Sequence, residues 1–323
     1  MSSAVRVIVV GAGDFGARHV RAVSLLPEFE LVGVADRDRS RAEACAEAFG
    51  GRPFGGLDEA LDAVAADAVI IATPPGAHVG DLLLATSRGL PCLTEKPIVA
   101  TSGDVAAVEV LPDEQRALVF PAHVSRFLPG FARLVEELGA SPVRYLRALR
   151  RVPRERLDLH GEVHPAMSAM IHDIDLVRAL IPAQLRSVTS SQVWSDDRRP
   201  FPQTVSAQLL FEGGALAVID TSWTMPHARQ YIDARLEVAT DDTFATVSLP
   251  GGGLVVEGVD GDTVPDIELE GEAYGIPVGA LATELRQFAA VVSGRADRFA
   301  VTCDDALWSI RVALEIAGQQ PSR

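Results

Sequence analysis

Glu95-Lys96-Pro97 is the tripeptide of this 323-residue chain best placed to move a proton. The apolar run Pro91 to Thr94 ahead of it reads as a buried strand, so Lys96 stands at the charged end of an apolar element, with Pro97 restricting the chain beyond. Burial, or a positive charge held nearby, brings an ammonium group down from its ordinary pKa of about 10.4 into the range of a general acid or base. The structural alternative is a surface lysine paired with Glu95. A second group lies between Pro165 and Leu180. Met167, Met170, Ile171, Ile174, Val177 and Ile181 recur at helical spacing and predict a buried stripe on one helix, entered at Pro165. Ser168, His172 and Asp175 then share another face, where a histidine held by a carboxylate one turn away suits a proton relay or a ligand for a hydroxyl. Its structural alternative is a histidine satisfied between helix and sheet. His160, His164 and His172 could converge on a metal, but no cysteine or paired carboxylate completes a zinc spacing, and no metal is expected.

Such side chains need a frame, and the frame announces itself near the start of the chain. Val7 to Val10 is an apolar, β-branched run that reads as a buried parallel strand, and Ala17 to Leu26 reads as a helix. Between them Gly11-Ala12-Gly13-Asp14-Phe15-Gly16 has the G-x-G-x-x-G spacing of a dinucleotide-binding turn. Gly11 permits the tight turn, Gly13 lets a pyrophosphate approach the backbone, and Gly16 lets helix and strand pack closely. Asp14 and Phe15 lie along the same approach, with the Asp14 side chain expected in solvent. A second apolar run, Leu31 to Ala35, ends at Asp36, twenty residues after Gly16, where such a fold places the carboxylate that accepts hydrogen bonds from an adenosine ribose. A carboxylate there favours NAD over NADP, although Arg37 or Arg39 could swing across to hold an extra phosphate.

Strand and helix patterns alternate through the first 120 residues, as a doubly wound parallel sheet requires. Ala68 to Thr73 is a strand stopped by Thr73-Pro74-Pro75-Gly76-Ala77-His78, a rigid loop at the edge where ligands of open α/β sheets bind. Thr73, Pro74 and Glu95 are therefore expected along the cofactor. His78, at the start of the next helix, either packs or caps locally or faces the cofactor. Further strands are expected at Ala117 to Pro121 and, after a change of pattern, at Val143 to Val152, Ser187 to Trp194, Thr204 to Phe211, Leu216 to Trp223, Ile232 to Ala239 and Phe244 to Leu249. The last five follow one another without intervening helices. The expected architecture is thus α/β: a Rossmann-type doubly wound parallel sheet in residues 1–122, then an α+β domain with a large, mostly antiparallel open sheet in residues 123–323. Gly251 to Pro277 reads as hairpins plus a loop with solvated charges, and Gln319 to Arg323 as a frayed tail.

Composition narrows the partners. A formal net charge of −15 argues against a general nucleic-acid binder, which needs a basic face to displace counterions. No apolar run approaches the roughly 18 residues of a membrane span, and Met1-Ser2-Ser3 leads into a strand with no basic signal-peptide region, so neither membrane nor secretion is expected. Cys45, Cys92 and Cys303 are odd in number and lack metal spacing, which fits reduced thiols and a cytoplasmic location. Arg126 and the cluster Arg147, Arg150, Arg151 and Arg154 read first as solvated or interface arginines, and one that points inward would suit a carboxylate or phosphate on the substrate. On a strand, Arg147 and Arg151 face one side and Arg150 the other.

Gly11-Ala12-Gly13-Asp14-Phe15-Gly16-Ala17-Arg18-His19, Thr73-Pro74-Pro75-Gly76-Ala77-His78, Glu95-Lys96-Pro97 and His172-Asp173-Ile174-Asp175 resemble, in order and spacing, the motifs of the Gfo/Idh/MocA family. The resemblance spans nearly the whole chain. It implies an NAD(P)-dependent oxidoreductase of sugars, inositols or related polyols. It also implies that the second domain's open sheet makes a homodimer or homotetramer interface. Lys96 would be the catalytic lysine and His172 its partner at the reacting hydroxyl, with Ser168, Asp175 and Arg126 toward the substrate. Many family dehydrogenases carry an aspartate four residues before the histidine, and this chain has Ser168 there. Two other readings stand beside net dehydrogenation: an NAD-binding sensor or regulatory protein, and a glycoside hydrolase that oxidises its sugar transiently.

Overall fold

A computed structural model describes residues 4–157, 163–196, 199–225, 232–249 and 268–318. By their contacts these form two compact units, one of residues 1–124 with 270–307 and one of residues 125–269 with 308–323.

The first unit is built on a six-stranded parallel sheet. Its strands are β1 (Val5–Val10), β2 (Phe29–Ala35), β3 (Arg52–Phe54), β4 (Ala68–Ile71), β5 (Cys92–Glu95) and β6 (Val119–Ala122), in the spatial order β3-β2-β1-β4-β5-β6. Between them run α1 (Asp14–Leu25), α2 (Arg39–Phe49), α3 (Leu57–Ala63), α4 (Pro75–Ser87), α5 (Ser102–Glu109) and the short α6 (Asp113–Arg116). The central strands β1 and β4 are buried along almost their whole length, which is why they read as continuous apolar runs rather than alternating ones. Strand order reverses between these two, so their carboxyl ends open the crevice where open α/β sheets bind ligands.

Two features of this unit depart from the sequence expectation. β3 was not foreseen: it has three residues, a proline in the middle and an edge position. The single expected boundary near Ala122 also needs correction, because residues 270–307 return to the first unit. That return is made by a hairpin, followed by a long helix. The Phe120 ring meets Phe288 and Phe299 edge to face at 5.2 and 5.5 Å, and Arg18 and Arg21 of α1 form ion pairs with Glu270 and Glu272. The acidic charge at 270 and 272 is therefore paired rather than merely solvated.

The second unit carries α7 (Pro129–Leu138) and a six-stranded mixed sheet. Its strands are β7 (Tyr145–Pro153), β8 (Leu185–Val193), β9 (Thr204–Phe211), β10 (Leu216–Met225), β11 (Asp233–Ala239) and β12 (Phe244–Ser248), in the order β12-β11-β7-β10-β9-β8. Only the β7 and β10 pair is parallel. Alternation along β7 buries Leu146, Ala148 and Val152 and turns Arg147 and Arg151 outward, where they meet Asp220 and Asp233.

The helix expected over Pro165 to Leu180 is two helices, α8 (Pro165–Ser168) and α9 (Ile171–Leu180). The His164 side chain caps the first by accepting the Ala166 N–H at 3.1 Å. The Pro165 carbonyl then takes both the Ala169 and Met170 N–H groups, and the regular ladder resumes with Ile174 on Met170. Ser168 is thereby out of helical register with His172. The returning hairpin of the first unit is β13 (Gly271–Ala273) with β14 (Ile276–Val278), and the helices after it are α10 (Gly279–Val292) and α11 (Cys303–Gly318), the latter running from the first unit into the second. No helix among the described residues is long and apolar enough to cross a membrane. Residues 250–267, part of the expected hairpin region, and the tail Gln319 to Arg323 lie outside the described residues.

Candidate active site

In the first unit the site grows from three loops at the carboxyl ends of β1, β4 and β5. The glycine turn follows β1, and each glycine has a separate physical reason. Gly11 adopts φ +94°, and a Cβ there would lie 2.5 Å from the Ala72 carbonyl oxygen. A Cβ on Gly16 would come within 1.8 Å of the Gly11 carbonyl oxygen. Gly13 differs, because a Cβ there meets nothing within 4 Å. α1 starts directly after Gly13 with no side-chain cap, so its first N–H groups are left for another acceptor. Asp14 and Phe15 are exposed at this end, and the Arg18 guanidinium lies 5.1 Å from the centre of the Phe15 ring. Asp36 accepts the Ala12 N–H at 2.7 Å through one oxygen and the Asp38 N–H at 2.8 Å through the other, which fixes the carboxylate beside the turn. A carboxylate has about four acceptor positions, so two remain for ligand hydroxyls. Arg39 is engaged with Glu43 and Glu59, whereas Arg37 is exposed next to Asp36.

In the loop after β4, His78 packs locally, one of the two alternatives its sequence position offers. The ring is fully buried, with Nε2 2.5 Å from the Thr73 carbonyl oxygen and Nδ1 2.9 Å from that of Pro97. It bridges the backbone of the β4 and β5 loops, and burial pushes its pKa below the usual histidine value against the pull of those carbonyls. Thr73 donates its hydroxyl to Asp81 at 3.4 Å, and Pro74 is exposed just before α4.

Lys96 is half-buried at the end of β5. The Glu95 side chain turns toward α1. One carboxylate oxygen takes the bond from His19 Nε2 at 2.8 Å, and the other accepts the Lys96 backbone N–H at 3.1 Å. Burial would raise the Glu95 pKa, but the His19 hydrogen bond, with the charges of His19 and Lys96, holds it below the usual carboxylate range.

In the second unit His172 is half-buried, and its Nδ1 lies 3.3 Å from the Ser125 hydroxyl. The expected partner Asp175 is elsewhere. It is fully buried and receives Arg126 Nε at 2.8 Å and Nη2 at 2.7 Å, a bidentate pair. Asp175 and Arg126 therefore hold α9 to the turn Val124–Phe127. Asp173 makes a matching buried pair with Arg150, at 2.8 and 2.9 Å. Two bidentate clamps thus flank His172 on either side of one helical turn. Ser168 donates its hydroxyl to the His164 carbonyl at 3.3 Å. His164 packs edge to face on Phe201, with Nε2 3.3 Å from the Gln192 side-chain oxygen, while His160 lies outside the described residues.

Sequence reasoning held Arg150 only as a candidate cation and His19 and Asp173 only as members of motifs, without their partners, and it missed Ser125 as the contact of His172.

A family model described as the oxidoreductase family with an NAD-binding Rossmann fold matches residues 5–123, and the GFO/IDH/MocA C-terminal domain matches residues 144–245. The chain belongs to the Gfo/Idh/MocA oxidoreductases. Among relatives, the inositol 2-dehydrogenase of Leifsonia xyli subsp. xyli is 32% identical over 75% of this chain and 71% of its own. The UDP-N-acetylglucosamine 3-dehydrogenase of Acidithiobacillus ferrooxidans is 27% identical over 96% of this chain and 97% of its own. Among solved structures, a myo-inositol dehydrogenase from Corynebacterium glutamicum superposes with a TM-score of 0.78 at 24% identity, covering 97% of this chain and 96% of that one, which shows the shared fold. The glycine turn fits the dinucleotide of this Gfo/Idh/MocA domain. Gly13 opens onto free space, the start of α1 is uncapped, and Asp36 keeps acceptor positions beside them.

Proposed function

We propose that this Gfo/Idh/MocA oxidoreductase is an NAD-dependent dehydrogenase of a sugar, inositol or related polyol, acting at a carbinol carbon. The observation that carries this reading is Lys96, half-buried at the carboxyl end of β5 one strand from the switch point, next to a carboxylate kept ionised. The inositol and nucleotide-sugar dehydrogenases among its relatives support a polyhydroxylated substrate. The first N–H groups of α1 and the Gly13 backbone hold the pyrophosphate, and Asp36 takes the adenosine ribose, with Arg37, Thr73 and Pro74 bordering the same edge. The bound NAD supplies the hydride acceptor or donor. Lys96 takes the hydroxyl proton during oxidation and returns it during reduction. His172 orients that hydroxyl, and Ser125 steadies the imidazole. Ser168 offers a hydrogen bond but no charge where many family members have an aspartate. The homo-oligomer is proposed to form through the outer face of the second-unit sheet, and the location to be the cytoplasm.

The test is a panel containing myo-inositol, UDP-N-acetylglucosamine and acidic and phosphorylated sugars, followed by NADH absorbance with parallel product analysis. Oxidised product equal in amount to NADH is the expected result. NAD binding with no transfer to any panel member would support the sensor reading, and free sugar without net NADH the glycosidase reading.

A further inference from the structure

His19 and Glu95 form a buried pair between the helix of the glycine turn and the residue next to Lys96, and no step of the proposed reaction uses it. His19 is completely buried on α1, and its Nε2 lies 2.8 Å from one Glu95 oxygen, while its Nδ1 has no hydrogen-bond partner among the described residues. The proton therefore belongs on Nε2, facing the carboxylate. The second Glu95 oxygen is held at 3.1 Å by the Lys96 backbone N–H. Clamped at both oxygens by donors, the carboxylate is fixed in place and stays ionised despite its burial. The titratable groups that face it within the first unit are His19 from α1, His78 from α4 and Lys96 from its own chain end.

We propose that the His19–Glu95 pair sets the proton affinity of Lys96 and couples it to the dinucleotide helix, by holding one negative charge a residue away from the base. The inference rests on the reading of Lys96 as the base. An ionised neighbour stabilises the ammonium form, and the positive nicotinamide of oxidised NAD opposes it. The lysine accordingly gives up a proton when oxidised NAD binds and keeps it when the neutral reduced form binds. Glu95 decides the pH at which this exchange falls. His19 decides whether Glu95 remains ionised.

The experiment needs no substrate. Proton release on binding oxidised NAD is measured by calorimetry of the full-length protein in buffers of different ionisation enthalpy, across pH 6 to 10. The wild-type chain is expected to release protons over a bounded pH range, and Lys96→Met to release none. Glu95→Gln is expected to move that range down by about one pH unit, the size of shift an opposite charge within a few ångströms produces. His19→Leu, which removes the donor, is expected to move it in the same direction. His19→Gln restores an N–H near the Nε2 position and is expected to return the wild-type range. A Glu95→Gln profile coincident with wild type, beside a flat Lys96→Met profile, overturns the role of the pair and leaves Lys96 as the base. If Glu95→Gln fails to fold, the two His19 variants decide: equal profiles for Leu and Gln contradict the proposal. Release that persists in Lys96→Met overturns the base assignment, and this inference with it.

Discussion

At His172 the Ser125 hydroxyl lies 3.3 Å from Nδ1 and steadies the ring. Ser125→Ala removes that contact without adding bulk, and is expected to lower kcat about tenfold, equivalent to about 1.4 kcal/mol in the transition state, with little change in NAD affinity. Steady-state kinetics and NAD titration check it, and unchanged kcat contradicts the positioning role. At this scale the sequence was informative where chemistry depends on near neighbours. The glycine spacing and Asp36 could be read because turn, helix start and carboxylate are linked by a local βαβ unit. Asp175 was misread because its partner Arg126 lies 49 residues away, and a helical pattern records which positions share a face but not which distant cation reaches them. The bonds of Glu95 to His19 on α1 and of His78 to the Pro97 carbonyl likewise join residues distant in sequence.

The βαβ element turns the glycine spacing into a testable contrast. Gly16→Ala would place Cβ 1.8 Å from a backbone oxygen, and the resulting overpacking costs about 3 kcal/mol or more. The melting transition is expected to fall by about 6–12 °C. Gly13→Ala meets open space, so its melting temperature is expected to stay near wild type while NAD affinity falls, because the methyl group fills the cradle. Scanning calorimetry with NAD titration separates the two, and equal destabilisation by both would contradict the division of labour. Element existence was legible wherever apolar periodicity was long, as in β1, β4 and the strands of the second sheet. Breaks were not. Nothing in Met167-Ser168-Ala169-Met170 disfavours helix strongly, and the interruption comes from the Pro165 carbonyl taking two N–H groups at once.

For the whole molecule, buried histidines govern the acid side of stability. Burial pushes both His78 and His164 below the ordinary value of about 6.5, so each takes up a proton less readily in the fold than in the unfolded chain. Their contribution is complete above about pH 6.5 and is lost as the pH falls through the lower folded values. Glu95, whose folded pKa is depressed below the usual carboxylate range, loses its own contribution only at more acidic pH. The melting temperature is therefore expected to decline between pH 7 and pH 5. His164→Asn keeps an acceptor for the Ala166 N–H but does not titrate, and is expected to flatten that decline. Calorimetry at pH 7.5, 6 and 5 checks it, and an unaltered slope would assign the effect elsewhere.

Lys96 carries the proposed proton transfer. The most direct measurement compares the wild-type chain with Lys96→Met in two assays, NAD affinity by titration and NADH formation with the substrate found on the polyol and sugar panel. The expected result is wild-type NAD affinity with turnover reduced at least about a hundredfold, the scale of a lost general acid–base group. A Lys96→Met variant with normal kcat would contradict the account.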